Sequence, residues 1–93
     1  MKLIKLGIIG DFDSDSPIHQ ATNTAVQHGA EALRISIAPA WIPTMELEAA
    51  DGAARLEQFH GLWAGPGSPY ASMQGMLKGI RFARERGRPF LGT

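Results

Sequence analysis

Asp11, Asp13 and Asp15, at alternate positions, are the densest group of chemistry-bearing side chains in the sequence. They follow an apolar run, Leu3 to Ile9, that ends at Gly10. An alternating acidic triplet could open a calcium-binding loop, which needs glycine at its sixth position and glutamate at its twelfth. Those positions hold Ser16 and Thr22, and the run before them reads as a strand, so calcium chemistry is rejected. The plainer reading is a solvated loop whose carboxylates lie near the N-terminus of the next helix, where the helix dipole favours them.

The second candidate is Gly65-Pro66-Gly67-Ser68-Pro69. Glycine lets a backbone N–H approach an anion closely. Such donors, preorganised at a strand-to-helix turn, suit an oxyanion that develops during acyl transfer. An ordinary turn accounts for the same residues on pattern alone. Ser68 and Ser72 lie in no Gly-x-Ser-x-Gly elbow, so neither reads as a nucleophile. His19, His28 and His60 lack the spacing of metal ligands and read as surface or boundary residues. Met73, Met76 and Leu77 read as core packing before a binding surface. Arg81, Arg84, Arg86 and Arg88 complement a helix C-terminus better than they form an anion patch. Neither a P-loop nor a dinucleotide fingerprint occurs.

These residues must be held by regular elements. Leu3 to Ile9 has the length and flanks of a buried strand. Ser16-Pro17 starts a helix, with serine as N-cap and proline at the first helical position. Ile18, Ala21, Ala25, Val26 and Ala32 recur at helical spacing through about Ala32. Leu33, Ile35 and Ile37 alternate with polar residues as a second strand, which Pro39 is expected to close. Trp41-Ile42-Pro43 then reads as a connector. Thr44 caps a short helix to about Ala50, and helix resumes from Ala53 to Phe59. Gly61 to Ala64 is a third strand. Ser72 caps a helix whose face is Met73, Met76, Leu77, Ile80 and Ala83, with Gly87 closing it. Pro89 to Gly92 begins a fourth strand. Alternating strands and helices imply a largely parallel sheet with right-handed crossovers. Ligands in such folds bind beyond the carboxyl ends of the strands. Asp11 to Ser16, Gly65 to Pro69 and Thr93 all follow strand ends and should lie along that one edge.

The chain has 93 residues, enough for one small domain. It has no cysteine, so disulfides cannot supplement a modest core. Lys plus Arg equals Asp plus Glu at 9 each, which gives no general attraction to nucleic acid or an anionic membrane. The apolar runs are too short to span a bilayer, and the first residues make no signal-peptide core. A cytoplasmic protein is expected, with no nucleic-acid or membrane partner and no metal or other cofactor.

Two segments taken together resemble a known family. One is Gly61-Leu62-Trp63-Ala64-Gly65-Pro66-Gly67-Ser68, and the other runs from Arg81 to Gly92 as RFARERGRPFLG. They are similar to the class I glutamine amidotransferases, in particular the glutaminase domain of the CTP synthase type. There a strand enters a Pro-Gly-Gly loop, and a "PFLG" strand leads to the catalytic cysteine. Ile8-Ile9-Gly10-Asp11-Phe12 and the following helix match in position, so the resemblance covers essentially the whole chain. It implies a three-layer α/β/α, flavodoxin-like fold with a mostly parallel sheet. Residues 1–93 would be its N-terminal half, and the sheet would be incomplete. The implied chemistry is hydrolysis of glutamine to glutamate and ammonia for a synthetase domain or partner in pyrimidine metabolism.

The family's nucleophilic cysteine would follow Thr93 directly, with its histidine and glutamate farther on, so the chain alone is expected to be inactive. Gly67 and Ser68 would supply oxyanion and substrate contacts, and Tyr70 would line the glutamine pocket. The chain departs from the family at Ser68, which replaces the second glycine, and at Pro69, which has no N–H to give. This pattern is closer to stand-alone CTP synthase-related proteins, which argues against coupling to CTP formation. Two alternatives remain. One is an inactive glutaminase-like module that pairs with another polypeptide, or with itself as a homo-oligomer, through an open strand edge. The other, weaker, is a phosphatase resembling the haloacid dehalogenases and using Asp11 and Asp13. Asp15 disfavours it, because that family prefers threonine or valine there.

Overall fold

The structure is a computed structural model and describes residues 3–49, 51–65 and 70–92. Strands β1 (Leu3–Ile9), β2 (Ser36–Ile42), β3 (Gly61–Ala64) and β4 (Phe90–Gly92) form one sheet in the order β2-β1-β3-β4. Every pairing is parallel, with Ile9 level with Ile42 on one side and Ala64 on the other. Helix α1 (Pro17–Leu33) joins β1 to β2, and α2 (Met73–Arg86) joins β3 to β4. This is the α/β architecture expected from the alternation of elements.

Both α-helices begin and end as their sequences dictate. The Ser16 hydroxyl accepts from the His19 amide at 3.3 Å, with Pro17 just inside the helix. The Ser72 hydroxyl accepts from the Gly75 amide at 2.9 Å. Gly87 ends α2 at φ +64°, a left-handed position that glycine adopts without a Cβ clash. Arg84 and Arg86 occupy the last turn, where a cation complements the helix dipole.

The two sheet faces are covered differently. Ile9, Ile42, Leu62 and Ala64 point to one face and pack with Leu47, Leu56, Phe59, Met76, Phe82 and Ala83. Ile8 and Trp41, level with each other across β1 and β2, point to the opposite face. There Trp41 Nε1 donates to Asn23 of α1 at 2.8 Å. Helix α1 therefore lies on one face, and α2 with the β2–β3 connection lies on the other.

Four expectations are corrected. Strand β2 does not stop at Pro39 but continues through Trp41 to Ile42, so Trp41-Ile42 is strand and not connector. Among the described residues β2 pairs only with β1, and an edge strand directs alternate N–H groups away from the sheet, where proline is tolerated. The β2–β3 connection forms two 3₁₀ segments, Thr44–Glu48 and Gly52–Gln58, in place of α-helical turns. Thr44 makes no capping bond there, because its hydroxyl is engaged elsewhere.

The buried faces of both α-helices also differ from the apolar pattern. In α1, His19, Thr22 and Val26 are buried, while Ile18, Ala21, Ala25 and Ala32 are exposed. In α2, Gly75, Met76, Gly79, Phe82 and Ala83 face inward, Ile80 is half-buried, and Met73 and Leu77 are exposed. The reason in α2 is close approach. A Cβ on Gly75 would stand 1.8 Å from the Thr44 carbonyl oxygen, and one on Gly79 would stand 2.4 Å from Ile9 Cδ1. The glycines let the helix axis come down onto Thr44 and β1, which rotates the larger Met73 and Leu77 outward.

Candidate functional site

The carboxyl ends of the three central strands are held level by backbone bonds. Gly10 N–H donates to Ile42 O and Gly65 N–H donates to Ile9 O, each at 2.9 Å. One residue beyond this rung, the Asp11 carboxylate gathers donors from the other two connections. Oδ1 accepts from the Thr44 amide at 2.9 Å. Oδ2 accepts from the Ala71 amide at 2.8 Å and the Thr44 hydroxyl at 2.9 Å. The hydroxyl lies 3.1 Å from Oδ1 as well, so its single proton is shared between the two oxygens. Thr44 Oγ1 in turn accepts from the Ser72 amide at 2.8 Å. Residues 11, 44, 71 and 72 thus form one cluster over three strand ends. Of the segments expected to share this edge, Asp11 and Gly65 lie along it, whereas positions 66–69 and Thr93 fall outside the described residues.

Burial raises the Asp11 pKa, but the Ala71 amide, the Thr44 amide and hydroxyl, and nearby His19 together outweigh it. The net result lies below the ordinary value. Asp11 is therefore a partly buried bracket and not the freely solvated loop carboxylate expected from the sequence. With both oxygens accepting protein donors, it is poorly placed as a nucleophile toward phosphate. Asp13 differs, since its Oδ1 accepts from the Asp15 amide at 2.9 Å within an exposed turn. Among the described residues no group of three or more histidine, cysteine or acidic side chains could hold a metal ion.

The histidines separate into two kinds. His28 and His60 are exposed, as expected, and His60 Nδ1 accepts from the Lys5 amide at 2.9 Å. His19 is only 6% exposed, which corrects its reading as a surface or boundary residue. Its ring lies 4.8 Å from Trp41 and 5.9 Å from Phe12, and Nδ1 accepts from the Asp13 amide at 2.9 Å. The Trp41 ring covers the backbone of Gly10 and Gly65, since a Cβ at either would come within about 3.2 Å of it. This aromatic group walls the cluster on the α1 side.

Gly67 and Ser68, the expected oxyanion and substrate residues, lie outside the described residues. Tyr70 is described. Its ring packs against the core beside α2 and its hydroxyl donates to Gly65 O at 2.8 Å. The two residues flanking positions 66–69 are thereby joined directly. Arg86 and Arg88 both pair with Glu57, and Lys78 donates to Glu48 O, so three of the basic groups near α2 are engaged with the β2–β3 connection. Sequence reasoning missed Asp11 and Thr44 as a pair. Their types carried a weak signal, a carboxylate and a hydroxyl each just past a strand end, but nothing in the spacing joins them.

The fold of this site matches a solved structure. The glutaminase domain of Trypanosoma brucei CTPS with bound acivicin superposes on 96% of this chain and 35% of that chain, with TM-score 0.83 and 17% identity. In sequence, CTP synthase from Granulibacter bethesdensis is 31% identical over 90 residues, which is 97% of this chain and 16% of that protein. CTP synthase from Novosphingobium aromaticivorans is 31% identical over 91 residues, covering 96% and 17%. CTP synthase from Sulfolobus acidocaldarius is 28% identical over 92 residues, covering 98% and 17%. The chain is thus similar over nearly its whole length to CTP synthases, and it has the fold of a glutaminase domain. It spans only 16–17% of the length of these CTP synthases. No protein-family model matches it. In this fold the Asp11 cluster stands at the carboxyl edge of the sheet, beside the part of the β3–α2 connection that holds Tyr70, Ala71 and Ser72.

Proposed function

We propose that residues 1–93 are the N-terminal half of a cytoplasmic glutaminase domain that hydrolyses glutamine to glutamate and ammonia, with ammonia passing to a synthetase domain or partner. The likeness to CTP synthases along nearly the whole chain carries this reading. In the complete site a cysteine thiolate attacks the glutamine amide carbon. The tetrahedral oxyanion collapses, ammonia leaves, and water hydrolyses the thioester. The chain contains no cysteine, so the thiolate comes from sequence outside these residues. Backbone donors at Gly67 or Ser68 steady the oxyanion, and Tyr70 forms a wall of the glutamine pocket.

The test joins intact mass to a glutaminase assay. The 10.0 kDa chain should release no glutamate, whereas a longer product of the same gene should, with activity abolished by a thiol reagent. Glutamate release by the 10.0 kDa chain itself would refute a cysteine mechanism. A longer product that contains the cysteine yet neither binds nor hydrolyses glutamine would instead favour the inactive binding module.

A further inference from the structure

Helix α2 turns to solvent a face that its own packing does not use. Gly75 and Gly79 bring the opposite side of the helix down onto Thr44 and Ile9, so Met73 and Leu77 stand 56% and 54% exposed. At 100° per residue, Met73, Leu77, Arg81 and Arg84 fall within an arc of about 80°, and at 1.5 Å per residue they run about 16 Å along the axis. The stripe is divided, with apolar side chains on its N-terminal half and cations on its C-terminal half. Gln74, Lys78 and Glu85 border it and are exposed as well. Two hollows of about 190 and 200 Å³ on this side share Lys78 and Arg81 as walls.

The cations of the stripe differ from their basic neighbours. Arg86 and Arg88 pair with Glu57, and Lys78 donates to Glu48 O. Arg86 also lies over the Phe82 ring, 5.3 Å from its centroid. Among the described residues, Arg81 and Arg84 make no ion pair or side-chain hydrogen bond. Arg84 lies in the last turn, where the helix dipole favours it, but Arg81 precedes that turn and gains little from the dipole.

The division of the stripe limits what can cover it. A two-fold contact between the α2 helices of two copies sets the apolar half against the cationic half when they run antiparallel, and cation against cation when they run parallel. Two apolar side chains without an aromatic ring are also a small area for insertion into a bilayer. A helix of another protein, acidic in its first turns and apolar in the next, complements both halves. Laid antiparallel to α2, it sets its carboxylates against Arg84 and Arg81, which suits both helix dipoles, and its apolar pair against Leu77 and Met73.

We infer that the exposed stripe of α2 is a docking surface for an acidic amphipathic helix of a partner protein. The inference is independent of the glutaminase reading, since it uses no residue assigned to that site. The apolar anchors supply affinity, and the complementary charges supply orientation and rate of encounter.

The test titrates the ¹⁵N-labelled chain with a synthetic alanine-rich helical peptide, which carries two glutamates near its N-terminus and two leucines in the following turns. Amide resonances of Gln74, Leu77, Lys78, Arg81 and Arg84 should shift and saturate together, while those of β1 and α1 stay in place. Arg81→Glu combined with Arg84→Glu should weaken binding at least about tenfold, and Leu77→Ser about 5- to 10-fold. These side chains are exposed, so both variants should keep the circular dichroism spectrum of the unmodified chain. The same peptide with lysines in place of glutamates should bind at least about tenfold more weakly. Absence of saturable shifts at about 1 mM peptide overturns the inference. Equal binding of the lysine peptide, or undiminished binding by the double arginine variant, overturns it too. Vesicles of phosphatidylserine and phosphatidylcholine are the second probe. Shifts at the same residues with vesicles but not with the peptide assign the face to a membrane and overturn the protein partner.

Discussion

Replacing Gly75 by alanine is normally a stabilising change in a helix, worth about 1 kcal/mol in propensity. Here the added Cβ would lie 1.8 Å from the Thr44 carbonyl oxygen and 2.8 Å from its carbon, both backbone atoms. The helix must retreat until the first distance is at least 3.0 Å, because Thr44 is itself fixed by Asp11 and Ser72. That retreat strains the Ser72 cap on Gly75, worth about 1 kcal/mol, and the Ser72–Thr44 bond, worth about 1 kcal/mol. Overpacking adds about 1–3 kcal/mol. After the propensity gain the net loss is about 2–4 kcal/mol. For a domain of this size each 1 kcal/mol moves Tm by about 4–8 °C, so the fall is easily read by circular dichroism. Gly29→Ala in α1 is the matched control, since its Cβ would meet nothing within 4 Å and the change should stabilise by up to about 1 kcal/mol. Equal and positive shifts for the two variants would refute the close approach of α2 to Thr44.

Other consequences are accessible to simple measurements. The Asp11 pKa is lowered in the folded state, so its contribution to stability is complete above the unfolded value of 3.8 and is lost as pH falls through the lower folded value. Urea midpoints measured from pH 6 downward should therefore fall less steeply in Asp11→Asn than in the unmodified chain in the region below pH ~4. Trp41→Phe removes the indole donor to Asn23 and should cost about 1 kcal/mol, read from the same urea curves. Pro39→Thr restores an N–H to an edge strand and should increase self-association, visible by light scattering as a concentration-dependent rise in mass.

Much of the frame was legible in local chemistry. Strands β1 and β3, the Ser16-Pro17 start of α1, the Ser72 cap and the Gly87 end all occur where residue type demands them. The failures share a tertiary cause. Pro39 reads as a strand end until β2 is known to be an edge. Met73 and Leu77 read as core until Gly75 and Gly79 are seen to press α2 against Thr44 and Ile9. His19 reads as a surface residue until Trp41 enters the strand and covers it. At the site, Asp11 was singled out by the sequence for its aspartate neighbours, whereas its actual partners come from two other connections. No periodicity encodes bonds made by an exposed amide at Ala71 and a buried hydroxyl at Thr44.

The separation of those partners has a bearing on how the chain folds. The Asp11 carboxylate closes contacts across 33 and 60 positions, and the second requires β3 to be already paired against β1. Loop-closure entropy makes such contacts late ones, formed after local turns and helices have condensed. A partly folded chain can possess α1, α2 and even the β1–β2 pair while the three strand ends remain unconnected. Assembly of the edge therefore acts as a checkpoint on register. A one-residue slip of β3 would displace Ala71 by roughly 3.3 Å and leave the carboxylate without that donor.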